Sequence, residues 1–224
     1  MSGAVTADDG ARVVVRPIGS PLPLGFLALV VATVGFAALQ LQWVPASQGS
    51  AVALGVLVLT VPLQLLASVL AFLARDVVAG TGMGLLAGTW GATALVTLTG
   101  APGAASSGLG VLLVAAGVSM LVPAAAATSK PVAAAVMLLT AVRYTVTGVA
   151  ELTADRAWFT AAGAVGLVLG AVALYAALAF ALEDAHRRTV LPLGRRGSGA
   201  DVLTASARED LRDVAHEAGV RRQL

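Results

Sequence analysis

The chain has 224 residues, of which 58% are hydrophobic and only 12% charged, with a formal net charge of +2 and a mean hydropathy of +0.90. So few charges cannot cover that much apolar side chain in water, which excludes an ordinary soluble domain and favours an integral membrane protein. There is no cysteine and the only histidines are His186 and His216, so thiol chemistry, cysteine-ligated metal and an intramembrane histidine cluster are excluded, and no metal or cofactor is expected. The balance of charge gives no support to nucleic-acid binding, because the arginines flank apolar runs without interleaved aromatics.

Six apolar runs follow one another at about Leu22–Val44, Ser50–Ala74, Val77–Thr99, Gly108–Thr128, Pro131–Ala150 and Trp158–Leu182. Each is near the roughly 20 residues a membrane-spanning helix requires. None alternates with period two, so strands are not expected. The organisation is a tail over 1–20, a six-helix transmembrane domain over 21–184, and a second tail over 185–224. Trp43 and Trp158 fall at span ends, where an amphipathic ring is stable. The first span follows a polar tail without a small-residue cleavage site and reads as a retained helix.

The cations set the orientation. Arg12 and Arg16 precede the first span, Arg75 and Lys130 lie in the second and fourth loops, and the C-terminal tail is arginine-rich. The first and third loops carry no cation, and the fifth has Arg156 against Glu151 and Asp155. The positive-inside rule then puts both termini in the cytoplasm of a cell whose inner membrane the chain crosses repeatedly. The preference for arginine over lysine and the abundance of Ala, Val, Leu and Gly suggest a high-GC bacterial genome.

Within the spans, Gly80, Gly84 and Gly88 form a one-faced stripe, and Gly166 and Gly170 a shorter one, both suited to close helix packing. Pro62 and Pro123 interrupt the second and fourth spans and predict kinks. Over 201–220, Leu203, Ala207, Leu211, Val214 and Ala218 share one face, predicting an amphipathic helix that docks at the membrane surface or meets anionic lipid or a partner.

Arg143 is the outstanding residue. It lies mid-span, no acid in any neighbouring span could neutralise it, and Glu151, eight residues on, is beyond pairing distance along one helix. Residues of this kind face a cavity, a partner or a substrate, and a guanidinium fork matches a carboxylate. Helix geometry leans the side chain toward the cytoplasm. It either attracts a carboxylate or caps backbone carbonyls between helices. Gln64 either donates to a carboxylate or bridges helices. Ser20, at the start of the first span, either meets an anion with the free backbone donors there or caps the helix. Tyr144, Thr140 and Tyr175 read as packing residues. No embedded Asp, Glu or His offers a proton relay, so uniport is as plausible as symport. A lone embedded serine such as Ser68 or Ser119 has no base, so an enzyme is the least supported class.

Three segments together resemble the acetate uptake transporter family, which includes the bacterial succinate–acetate permeases. Ser20-Pro21-Leu22-Pro23-Leu24-Gly25-Phe26 parallels the family's Asn-Pro-Ala-Pro-Leu-Gly-Leu, with Pro21, Pro23, Leu24 and Gly25 kept. Gln64, Ala67, Phe72, Thr81, Gly84 and Trp90 match its second- and third-span pattern without a gap. Arg188-Thr189-Val190-Leu191-Pro192-Leu193-Gly194 resembles its closing Pro-x-Gly segment, after Gly163, Gly166, Gly170 and Tyr175. The resemblance covers about residues 18–195. It implies six helices around a central pathway, a hexameric ring of protomers, and a small carboxylate such as acetate or succinate as cargo, with proton coupling an open alternative. It also places a pore constriction at Leu29, Leu86 and Leu139, where the family carries Phe, Tyr and Leu, so this chain would have a wider and less polar gate. Ser20 replaces the motif asparagine, and Arg143 stands where the family has an apolar residue. These departures leave a second reading: a scaffold or signalling component that keeps the fold without transport.

Overall fold

In hydrocarbon every backbone polar group needs a partner within its own segment, so long apolar runs form helices. The computed structural model of the chain describes residues 19–186 and 188–195; the tail 1–18 and the amphipathic segment 201–220 lie outside them. Among the described residues there are helices and no strands. They are α1 (Leu22–Gln40), α2 (Ala46–Leu73), α3 (Val77–Thr99), α4 (Ser107–Ala126), α5 (Pro131–Thr153) and α6 (Arg156–His186). Five are long and apolar enough to cross a membrane on composition alone. The sixth, α3, has the length and no charged residue, but its glycines and threonines dilute its apolarity. The chain is an all-α integral membrane protein.

Each helix packs on its neighbours in sequence and α6 closes back on α1, so the six make a ring. Its outer face is apolar and exposed at Leu27, Val31, Leu66, Val118 and Leu174, as a lipid-facing surface requires. Lipid offers no hydrophobic drive between helices, so close packing of small residues has to supply the contact. The α4–α5 seam shows this: a Cβ at Gly148 would lie 2.8 Å from the Gly110 carbonyl oxygen, and one at Gly117 would lie 2.5 Å from Thr145 Oγ1. The Gly80 and Gly84 faces are filled from α2 by Phe72 and Ser68, whereas Gly88 faces open space.

Pro62 produces a local change of helix type where a kink was expected. Val56–Thr60 is a π-turn in which the Val61 N–H donates to the Val56 carbonyl. Proline brings no donor to the next turn, and the wider turn accommodates that loss. Thr60 then donates across to the Ala28 carbonyl at 3.0 Å. Pro123 lies inside α4 close to its end at Ala126, and its missing donor costs the Ser119 carbonyl its intrahelical bond.

One end of the ring is tied by charge. Asp76 caps α3 by accepting from Ala79 N at 3.0 Å, and Lys130 Nζ reaches its other oxygen at 2.5 Å. Beyond α6 the chain turns back: Tyr175 donates to the Pro192 carbonyl at 2.7 Å, Leu193 is buried, and Arg195 pairs with the buried Glu183. Gly194 makes the turn possible at φ +63°, a conformation that suits glycine.

Gly148→Ala should lower stability by about 1–3 kcal/mol through overpacking, whereas Gly88→Ala should leave it unchanged. Thermal melting of both variants in the same detergent checks this.

Candidate functional site

Three levels of polar side chains are strung along α1. Ser20 lies outside the helix and exposed at its start; the N-cap position belongs to Pro21, so Ser20 does not cap. Gln64, fully buried, donates through Nε2 to the Gly25 carbonyl at 3.4 Å and bridges α2 to α1, leaving Oε1 without a partner. Arg143 meets α1 at its last residue, Gln40. At 1.5 Å per residue, Gly25 and Gln40 lie about 22 Å apart along the helix, and Ser20 and Gln40 about 30 Å. The three residues singled out for substrate contact therefore occupy three separate levels.

Arg143 is 1% exposed. Its NH1 donates to Gln40 Oε1 at 2.6 Å and to the Ala162 carbonyl of α6. Neither partner is charged, and the ion pairs seen among the described residues, Lys130–Asp76 and Arg195–Glu183, involve other residues. These oxygens hold the guanidinium between α1 and α6. Room for it comes from Gly166, where a Cβ would lie 2.8 Å from Cζ. Gly166 thus serves as a socket for the guanidinium as well as a packing residue; its carbonyl also accepts from Thr33 Oγ1 at 3.1 Å.

Around the guanidinium lie further donors. Arg143 Nε, Tyr144 OH and Trp90 Nε1 are all buried without a hydrogen-bond partner. The Thr89 hydroxyl donates to the Leu85 carbonyl at 2.7 Å and lies beside Tyr144 OH with lone pairs free to accept from it. Trp90 stacks edge-on to Tyr144 at 6.0 Å between centroids and packs on Phe36 at 5.6 Å. Arg143, Tyr144 and Trp90 line one cavity of about 20 Å³ with Phe36, Gln40, Thr93, Leu113 and Thr147. That is room for about one water-sized occupant. A buried donor left unmade costs roughly 1–3 kcal/mol, and the surface of this cavity is almost wholly apolar.

A larger cavity of about 620 Å³ opens among the α1–α2, α3–α4 and α5–α6 connections, opposite the Asp76–Lys130 end. Its charged wall residues are Glu151, whose Oε2 accepts from Ser106 N at 2.7 Å, and Arg156. Phe36 and Gln40 line both this vestibule and the small cavity, so they form the partition between them.

Of the residues assigned to a constriction, Leu29 and Leu86 are buried in the common core and Leu139 is half-buried against it. Pro21, Leu24 and Gly25 of the matched motif open α1, with Pro23 in its first turn. Sequence reasoning missed Gln40, Phe36 and Trp90 as neighbours of Arg143 and treated Tyr144 as packing. Gln40 is separated from Arg143 by 103 positions; the only signal it left was a polar residue closing an otherwise apolar run. No group of acidic, histidine or cysteine side chains able to hold a metal occurs among the described residues.

The chain is similar in fold to the solved structure of the bacterial acetate channel SatP. The TM-score is 0.70 at 23% identity, over 80% of this chain and 100% of that one. No protein-family profile matches the chain, nor does any curated protein sequence.

Gly166→Val should displace the guanidinium, and its cost should shrink when combined with Arg143→Leu. A double-mutant cycle on thermal stability should return a coupling of about 0.5–3 kcal/mol; strict additivity would mean that Gly166 is not the socket.

Proposed function

We propose that the chain passes small monocarboxylate anions, acetate being the reference case, across a bacterial inner membrane, with Arg143 as the anion contact. The observation that carries this reading is a buried guanidinium with no charged partner, beside a small cavity that adjoins an open vestibule. A carboxylate supplies the missing charge and the missing acceptors together. The fold shared with a protein described as an acetate channel points the same way.

The charge distribution supports an orientation with Arg75 and Lys130 at the cytoplasmic end and the vestibule at the outer one. The anion leaves water in the vestibule, passes Phe36 and Gln40, and exchanges its hydration for the donors of Arg143, Tyr144 and Trp90. Their placement before the ion arrives keeps the reorganisation cost small. Leu29, Leu86 and Leu139 then form an apolar gate crossed by transient hydration. Gln64, with its weakly held amide, offers the next station, and Ser20 flanks the cytoplasmic mouth. Six such protomers in a ring, each with its own pathway, is the assembly that the family resemblance implies. A scaffold role draws on one observation: Leu29 and Leu86 are fully packed in the core.

Radiolabelled acetate and succinate uptake into proteoliposomes at two pH values tests the proposal. Wild type should carry one or both acids, and Arg143→Leu should lower that uptake about ten- to hundredfold, the loss of one charge-assisted hydrogen-bonding group. Flux that follows an imposed proton gradient would identify symport; flux indifferent to it would identify uniport. Absence of uptake in correctly folded wild type would favour the scaffold.

A further inference from the structure

Gln40 occupies a position that the proposed transport reading leaves unexplained. It ends α1, it is buried, and its Oε1 accepts a hydrogen bond from Arg143 NH1 at 2.6 Å. The other acceptor on NH1, the Ala162 carbonyl, belongs to the backbone of α6 and cannot leave. Gln40 is held by a flexible side chain and borders both the vestibule and the guanidinium cavity. Anything that comes from the vestibule to Arg143 meets this amide first.

We infer that Gln40 is a resident neutral substitute for the carboxylate, which a carboxylate displaces and a neutral solute does not, so that this residue sets the selectivity of the site. The inference rests on Arg143 being the anion contact. The physics is an exchange of acceptors on one N–H. The amide oxygen makes a hydrogen bond charged on the donor side alone. A carboxylate oxygen makes one charged on both sides, and such bonds are shorter and stronger. Exchange is therefore downhill for an anion. Water, a polyol or a protonated acid offers NH1 nothing better than Gln40 already provides and stays in the vestibule. The displaced amide has space there, because the vestibule measures about 620 Å³. When the anion moves on, the amide returns and removes the guanidinium's need for it, which assists release. In place of a bound carboxylate that would neutralise Arg143 permanently, the chain has an acceptor strong enough to hold the guanidinium and weak enough to yield.

The experiment uses the full chain, with acetate binding followed by isothermal titration calorimetry in detergent and labelled acetate and glycerol uptake followed in proteoliposomes. Gln40→Glu tethers a carboxylate at the same place. It should pair with Arg143, keep or raise the melting temperature, and weaken acetate binding and uptake at least tenfold. Gln40→Ala removes the competitor and should tighten acetate binding by roughly tenfold, the worth of one hydrogen bond to a charged group, while admitting glycerol that wild type excludes. Should Gln40→Ala lose its fold, Gln40→Glu still decides the matter, since it retains an acceptor for NH1. Wild-type acetate binding and uptake preserved unchanged in Gln40→Glu would overturn the role of Gln40 and leave the carboxylate reading standing. Wild type that neither binds nor carries acetate would remove both.

Discussion

A guanidinium held inside an apolar helical ring without a carboxylate beside it constrains everything around it. Burial of a charge is tolerated where its donors find acceptors, and Arg143 NH1 finds neutral oxygens on two other helices, Gln40 of α1 and Ala162 of α6, while Nε finds none. Those contacts require α1, α5 and α6 to stay in one register. Gly166 permits it by giving up a side chain, and Thr33 fastens α1 to α6 at the same level through the Gly166 carbonyl. Neutral partners satisfy geometry but leave the charge and its field in place. A buried salt bridge would have been structurally simpler and would have cancelled that field.

The two ends of the ring are built differently. On one, Asp76 with Lys130 and Glu183 with Arg195 cross-link loops, and the segment after α6 folds back to bury Leu193. Arg195 lies over Phe180, whose ring stands 6.2 Å from Phe26. On the other, the connections stand apart and enclose the vestibule. Closed packing there and open packing here follow from side-chain chemistry: paired charges and a buried leucine draw segments together, whereas the α3–α4 connection, rich in small residues, supplies nothing to fill the space.

Aromatic rings show how this chain departs from the family it resembles. Leucine stands at the two positions, Leu29 and Leu86, where aromatics were expected by that resemblance. The described structure gathers Phe36, Trp90 and Tyr144 instead, next to Arg143. Phe36 is seven positions after Leu29, about 10 Å further along α1. The rings thus cluster beside the charge, and Phe36 also borders the vestibule.

By itself the sequence determined that the chain is a bundle of membrane helices and that Arg143 has no acid to neutralise it. Those properties depend on local composition: a run such as Pro131–Ala150 must be helical in lipid, and an absent carboxylate is absent in any fold. It also determined the proline sites, though not that Pro62 would yield a π-turn, since the outcome depends on how α2 meets α1 through Thr60. Only the tertiary structure decided which residues surround Arg143. Gln40, Trp90 and Ala162 come from three other helices, and six similar apolar helices can be rotated about their axes without changing any periodic pattern. It likewise separated Ser20, Gln64 and Arg143 into three levels, because position along a bundle axis depends on where each helix begins in the membrane. What sets those rotations is contact at short range, Gly166 against the guanidinium and Gly148 against Gly110, and such fits between distant segments leave no periodic trace in a single sequence.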